Sequence, residues 1–177
     1  MPNWCHNSLC VSGPKSDLEI FMERVQGEEV YEGEKVINLL NFNTLVPLPE
    51  EENENWKDQE GVSHDWQVEH WGTKWQADEV SVEWELNLDN EDYLFYQFLT
   101  AWSAPDKFIK AVALMFPTIT FELRSCDPSM DWDYQLTAHG DEVSESENPY
   151  NEEAEDYWGL QEEAEAGNWD VREGSNG

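Results

Sequence analysis

Polar and apolar positions along this chain change period several times, and each change marks an element. From Trp4 to Val11 they alternate, with Leu9 and Val11 on one face and Cys10 on the other, until Ser12-Gly13-Pro14 intervenes; a first strand is predicted. Leu18, Phe21, Met22 and Val25 then recur at i, i+3, i+4 and i+7, with Ser16 and Glu19 spaced for a capping box and Gly27 at the far end, which predicts a helix. Val80, Val82, Trp84, Leu86 and Leu88 alternate with Ser81, Glu83, Glu85, Asn87 and Asp89, as in a strand with one wet face. After a turn at Asp89-Asn90-Glu91-Asp92, the stretch Tyr93 to Leu99 is apolar on both faces, as a strand in mid-sheet is. Ser103 and Pro105 open a second helix with the stripe Phe108, Ile109, Val112, Met115 and Phe116, and Pro117 stops it. Ile119, Phe121 and Leu123 alternate with Thr120, Glu122 and Arg124 in another strand, and Asp127-Pro128-Ser129 turns the chain into a last one over 131–138.

Residues 28–77 fit neither period for long. Val36 to Phe42 is apolar, Leu45-Val46-Pro47-Leu48-Pro49 is expected to be extended around its prolines, and Glu50 to Glu60 is acidic and expected to be exposed. A stretch of about fifty residues is too long for a plain connection and reads as an ordered insertion. The order is thus β-α-(insertion)-β-β-α-β-β. Without the insertion and the final strand this is the β-α-β-β-α-β plan of an α+β, ferredoxin-like sandwich with two helices on one face of an antiparallel sheet. That topology makes the first and third strands central and the second an edge. The third is the one written without a polar face, and the second the one with regular wet alternation. Residues 1–140 are read as the domain, with 28–77 inserted, and 141–177 as an acidic tail containing aromatics.

Charge then narrows the choice of partners. The chain has 177 residues and a formal charge of −31, with 27 acids and 8 bases in residues 1–140 and 13 acids and 1 base in 141–177. That total matches the phosphates on about 50 Å of duplex DNA, comparable to the size of a compact chain with a radius of gyration of ~16 Å. Such a body is repelled by nucleic acid and anionic membrane and attracted to basic surfaces. In the tail, Glu145, Glu147, Glu152, Glu153, Glu155, Asp156, Glu162, Glu163 and Glu165 stand among Tyr150, Tyr157, Trp158, Leu160 and Trp169. This composition suits either an extended segment that docks on a basic, partly apolar groove or a short helix over 150–166 folded back on its own domain. No apolar run reaches 18 residues and no signal-peptide pattern opens the chain, so the cytoplasm is its expected location.

The residues offer little chemistry. Cys5, Cys10 and Cys126 form no C-x-x-C pair, and Cys5 and Cys10 fall on opposite faces of their strand. His64 and His70, six apart, do not converge on a helix. Asp131 with Asp133, and Glu83 with Glu85, share strand faces and could in principle exchange protons or hold Mg²⁺; among forty acids such pairs arise by chance. Neither cofactor nor metal is expected.

Four segments carry a resemblance: Met1-Pro2-Asn3-Trp4-Cys5 with Asn7, then Phe42 to Glu50, Trp71-Gly72-Thr73-Lys74-Trp75, and Thr100-Ala101-Trp102-Ser103-Ala104-Pro105. In order from residue 1 to about 140 they resemble a family of bacteriophages and conjugative plasmids with a YubB-type ferredoxin-like domain. The resemblance implies that fold and a mobile-element origin, and no activity. The chain departs from the family pattern at Ala104, where a second proline is expected, and at Ser125 to Trp132. Trp71, Thr73, Lys74, Trp75 and Trp102 are either an aromatic pocket with Lys74 as anion contact or a scaffold that pins the insertion to the sheet. The reading that follows is a non-enzymatic acidic protein that binds and inhibits a basic, nucleic-acid-binding or defence protein of the host, as a DNA mimic. A nucleic-acid module that stacks bases on sheet aromatics, and a ligand-binding protein or enzyme with a Trp-lined pocket, are the alternatives.

Overall fold

The computed structural model describes residues 3–49, 64–86 and 91–159. Expectations for Glu50 to Glu60, Leu88, the Asp89-Asn90 turn, Glu162, Glu163 and Glu165 lie outside these residues. The elements are β1 (Trp4–Ser12), α1 (Lys15–Val25), β2 (Gly27–Tyr31), β3 (Glu34–Asn38), α2 (Phe42–Leu45), α3 (Asp65–His70), β4 (Asp78–Leu86), β5 (Asp92–Ala101), α4 (Asp106–Met115), β6 (Thr120–Asp127), a 3₁₀ turn (Pro128–Met130), β7 (Trp132–His139), β8 (Glu142–Asn148) and α5 (Glu152–Trp158).

Six strands form one sheet in the order β4-β5-β1-β6-β7-β8, each neighbour antiparallel. The first four of these are the strands of the β-α-β-β-α-β plan, and the fold is ferredoxin-like. β5 lies between β4 and β1, where its doubly apolar sequence places it. Alternation sends Leu9 and Val11 of β1, Leu94, Tyr96 and Phe98 of β5, and Phe121 and Leu123 of β6 to one face, all buried. There Leu18, Phe21 and Val25 of α1 and Phe108, Ile109, Val112 and Ala113 of α4 close over them. Phe21 is the hub, edge-on to Tyr96, Phe116 and Phe121 at 6.3, 5.5 and 5.3 Å. The segment between α1 and β4 adds Leu40, Phe42, Leu45, Leu48, Trp71 and Ala77 to this core.

Several local expectations give way to tertiary context. Pro14 takes the cap position of α1, so Ser16 lies inside the helix and the capping box does not form; Asp17, in the first turn, accepts from Thr118 Oγ1 at 2.6 Å instead. Gly27 starts β2 rather than capping α1, and a Cβ there would lie 2.6 Å from Asn41 Nδ2. Leu45 ends a one-turn helix instead of being extended. Val36 and Ile37 are exposed on a two-stranded hairpin, which no second layer covers among the described residues. Met115 is exposed and Phe116 takes the core seat as the helix ends. Glu142–Asn148, counted with the tail from its charge, is a strand paired along its length with β7.

Candidate functional site

The tryptophan-rich segment behaves as scaffold at its centre. Trp71 is 2% exposed; its Nε1 donates to Val46 O at 2.8 Å and its ring meets Phe42 at 5.7 Å. Thr73 is buried and donates to Ala101 O at 2.9 Å, and Ser103 Oγ donates to Gly72 O at 2.6 Å. These bonds fix the approach to β4 against the end of β5. Gly72 has φ +86°, and a Cβ there would sit 2.2 Å from Asp106 Oδ1, so only glycine fits. Lys74 lies over the Trp75 ring at 5.1 Å, and Trp75 leans on Trp4 at 6.2 Å, both near the surface. Trp102, 55% exposed with φ 70°, is held by its backbone N–H to Asn3 O at 2.9 Å. The five residues therefore do not converge on one pocket: two are interior, three superficial.

Asn7 explains the rest of the first motif. Buried in β1, it donates to Cys5 O at 3.0 Å and Thr100 Oγ1 at 2.9 Å and accepts from Ser125 Oγ at 2.7 Å, linking β1 to both of its neighbours. A buried amide with its hydrogen bonds made is a structural fastener rather than a catalytic group.

The second face of the sheet is different. α5 lies over one end of it: Tyr157 and Ser8 share a hydrogen bond at 2.7 Å, and Trp158 approaches His6 at 6.5 Å. Beneath α5, Arg124 bonds Asp133 through Nε and Nη2 at 3.1 and 3.3 Å and lies 4.0 Å from the Tyr157 ring. The guanidinium is thus already neutralised and stacked. Asp131, in a left-handed turn before β7, does not share a face with Asp133 as their spacing suggests, so that carboxylate pair does not exist.

Beyond α5 the face is open among the described residues. Glu83 of β4 stands opposite Phe95, Phe95 opposite Cys10, and Cys10 opposite Glu122, one row across four strands. In the next row Glu85 faces Tyr93, whose hydroxyl donates to its carboxylate. An open groove of about 480 Å³ runs between them, lined by Cys10, Glu83, Glu85, Tyr93 and Phe95 among others. Burial, with Glu122 and Glu85 nearby, pushes the Cys10 thiol up to about 11, so it stays protonated and unreactive at neutral pH. Cys5, pushed up to about 12 by burial and then Asp127, is equally inert. Glu83 and Glu85 were legible from alternation. Cys10, Phe95 and Glu122 were missed as partners because strand register is not written in any one segment.

The sequence from 70 to 168 matches the family model described as the ferredoxin-like domain in Api92-like protein. The chain belongs to this Api92-like family. A crystal structure of protein Api92 from Yersinia pseudotuberculosis superposes with a TM-score of 0.62 at 12% identity, over 85% of this chain and 99% of that one. At that identity the likeness speaks for the fold. No curated protein matches the sequence. The Api92-like match takes in β8 and α5, which the sequence reading counted with the tail.

Within the Api92-like domain the acids singled out in the sequence part company. Glu145, opposite Leu136, is on the helical side, bonded to Lys110 Nζ at 2.7 Å and accepting from Tyr134 Oη at 2.7 Å. Lys110 and then Tyr134 hold its carboxyl below the usual range. Glu147, opposite Tyr134, shares that side. Glu152, Glu153, Glu155 and Asp156 are on α5, across the sheet. Among the described residues no cluster of three or more His, Cys, Asp or Glu is placed to hold a metal, and no helix is long and apolar enough to cross a membrane.

Proposed function

We propose that this chain is a non-enzymatic acidic protein of a mobile element that binds a basic, nucleic-acid-binding or defence protein of its host and blocks it, taking the place of nucleic acid. The contact surface is the open part of the second sheet face. One observation carries this reading: Glu83 and Glu85 border Phe95 and Tyr93 on the β4 side, Glu122 stands beyond Cys10 on the β6 side, and Arg124 on that face is already paired with Asp133. An anionic rim around an apolar floor complements a cationic protein surface and repels phosphates. The overall charge of −31 adds long-range attraction of the same sign.

The aromatics of β5 occupy a sheet face that other ferredoxin-like domains use for stacking bases, but the surrounding charge has the wrong sign for that role. The test is capture of partners from a bacterial lysate by the full chain and by an E83Q/E85Q/E122Q variant. A partner retained by the native chain is expected to be released by duplex DNA and by raising salt from about 0.05 to 0.5 M, and to be lost by the variant. Partners held equally at both salt concentrations, or equally by the variant, refute the reading, as does tight binding of single-stranded RNA.

A further inference from the structure

Glu83, Phe95, Cys10 and Glu122 stand in register across β4, β5, β1 and β6. At the usual strand spacing the two terminal Cα atoms are roughly 14 Å apart. The row therefore has an apolar floor, one aromatic ring on it, and a carboxylate at each end. Beside it, Glu85 accepts from Tyr93, which orients a third carboxylate next to a second ring. The groove of about 480 Å³, lined by Glu83, Phe95 and Cys10 of the row and by Glu85 and Tyr93 beside it, is open among the described residues, so it suits side chains protruding from a partner.

We propose that this row receives arginine side chains of an extended, Arg-bearing segment of a protein partner. The inference rests on the reading of the open face as a cation-binding surface and adds which cation it selects. A guanidinium is planar and weakly hydrated; it lies flat on an aromatic ring while its fork pairs with a carboxylate. An ammonium is a strongly hydrated point charge and gains less from Phe95, because stacking requires it to shed water. Phe95 is half-buried and Glu83 exposed, so the ring face and the carboxylate are reachable from the same side. The same fold already uses this chemistry once: Arg124 pairs with Asp133 while lying over Tyr157. In the open row the carboxylates and rings are present and the cation is to be supplied by the partner.

The test titrates the full chain with two peptides of equal charge, one alternating Arg and Gly and the other Lys and Gly, by calorimetry. The Arg peptide is expected to bind roughly five- to tenfold more tightly, the range of a partly desolvated cation–π contact. Phe95→Leu keeps the apolar floor and removes the ring; it is expected to abolish that preference while leaving Lys-peptide affinity within about twofold. Equal affinities for both peptides, or a preference that survives Phe95→Leu and Phe95→Ala, would overturn the arginine row. If either result comes with salt-sensitive binding that E83Q/E85Q/E122Q abolishes, the cationic-partner reading stands alone. Binding unaffected by that triple variant, or no binding of either peptide, refutes both.

Discussion

Gly72 carries more constraint than any neighbour with a larger side chain. Its φ of +86° and the 2.2 Å approach that a Cβ would make to Asp106 Oδ1 mean that Gly72→Ala adds both backbone strain and overpacking. The expected loss is about 2–4 kcal/mol of unfolding free energy by denaturant titration; a change under about 0.5 kcal/mol would show that the loop relaxes freely. Two arms of the motif around it were legible as important and illegible as to purpose. A Trp in a motif looks the same whether its N–H meets a ligand or, as with Trp71, a backbone carbonyl. The Arg124–Asp133 pair is another residue-scale feature that no local pattern announces. It is bidentate and largely buried under Tyr157, so Asp133→Ala strands a guanidinium there and is expected to cost about 3 kcal/mol. Replacing both partners with apolar residues of similar size is expected to cost less than that single change.

Among the elements, those with a core face were readable and those without one were not. β1, β4, β5, β6 and both long helices announce themselves because one set of positions must be apolar to face Phe21 or Phe121. β8 has no such set: every residue of Glu142–Asn148 is exposed, and its charge made it look like the start of a tail. The hairpin of β2 and β3 escaped for the same reason. Beyond its backbone ladder, β8 is tied to the helical layer by Glu145, bonded to Lys110 of α4 and to Tyr134. Glu145 is held below its ordinary 4.5, so its contribution is present above that value and fades as pH falls through the folded value. Lys110 is net raised above 10.5: burial opposes the rise, and Glu145 and Asp106 outweigh it. Its contribution is present below 10.5 and fades as pH rises through the folded value. The stability gap between the native chain and Glu145→Gln is therefore expected to be widest from about pH 5 to 10 and to close at both ends, with a maximum near 1 kcal/mol for so exposed a pair. A gap constant down to pH 3 would show that the contact is not ionic.

For the whole molecule, charge acts against compactness. A chain of −31 repels itself, and only a few of its carboxylates meet a cation within the described residues. Monovalent salt is expected to raise the thermal midpoint by a few degrees between about 0.02 and 0.3 M, because screening relieves repulsion spread over the surface more than it weakens a handful of pairs. A midpoint that falls would mean that attractive pairs dominate. Net charge was readable from composition; its layout was not. The acids of Glu145 and Glu147 and those of α5 stand on opposite sides of one sheet, which the register of β8 on β7 and the turn after β8 decide together.

That outermost strand has a consequence for how copies of the molecule meet. β8 ends the sheet with Glu142, Glu145 and Glu147 along it, and a second copy seeking to continue the ladder would bring its own glutamates against them. Crowding alone then leaves the particles separate, whereas protonating that rim removes the guard and invites two copies to join edge to edge.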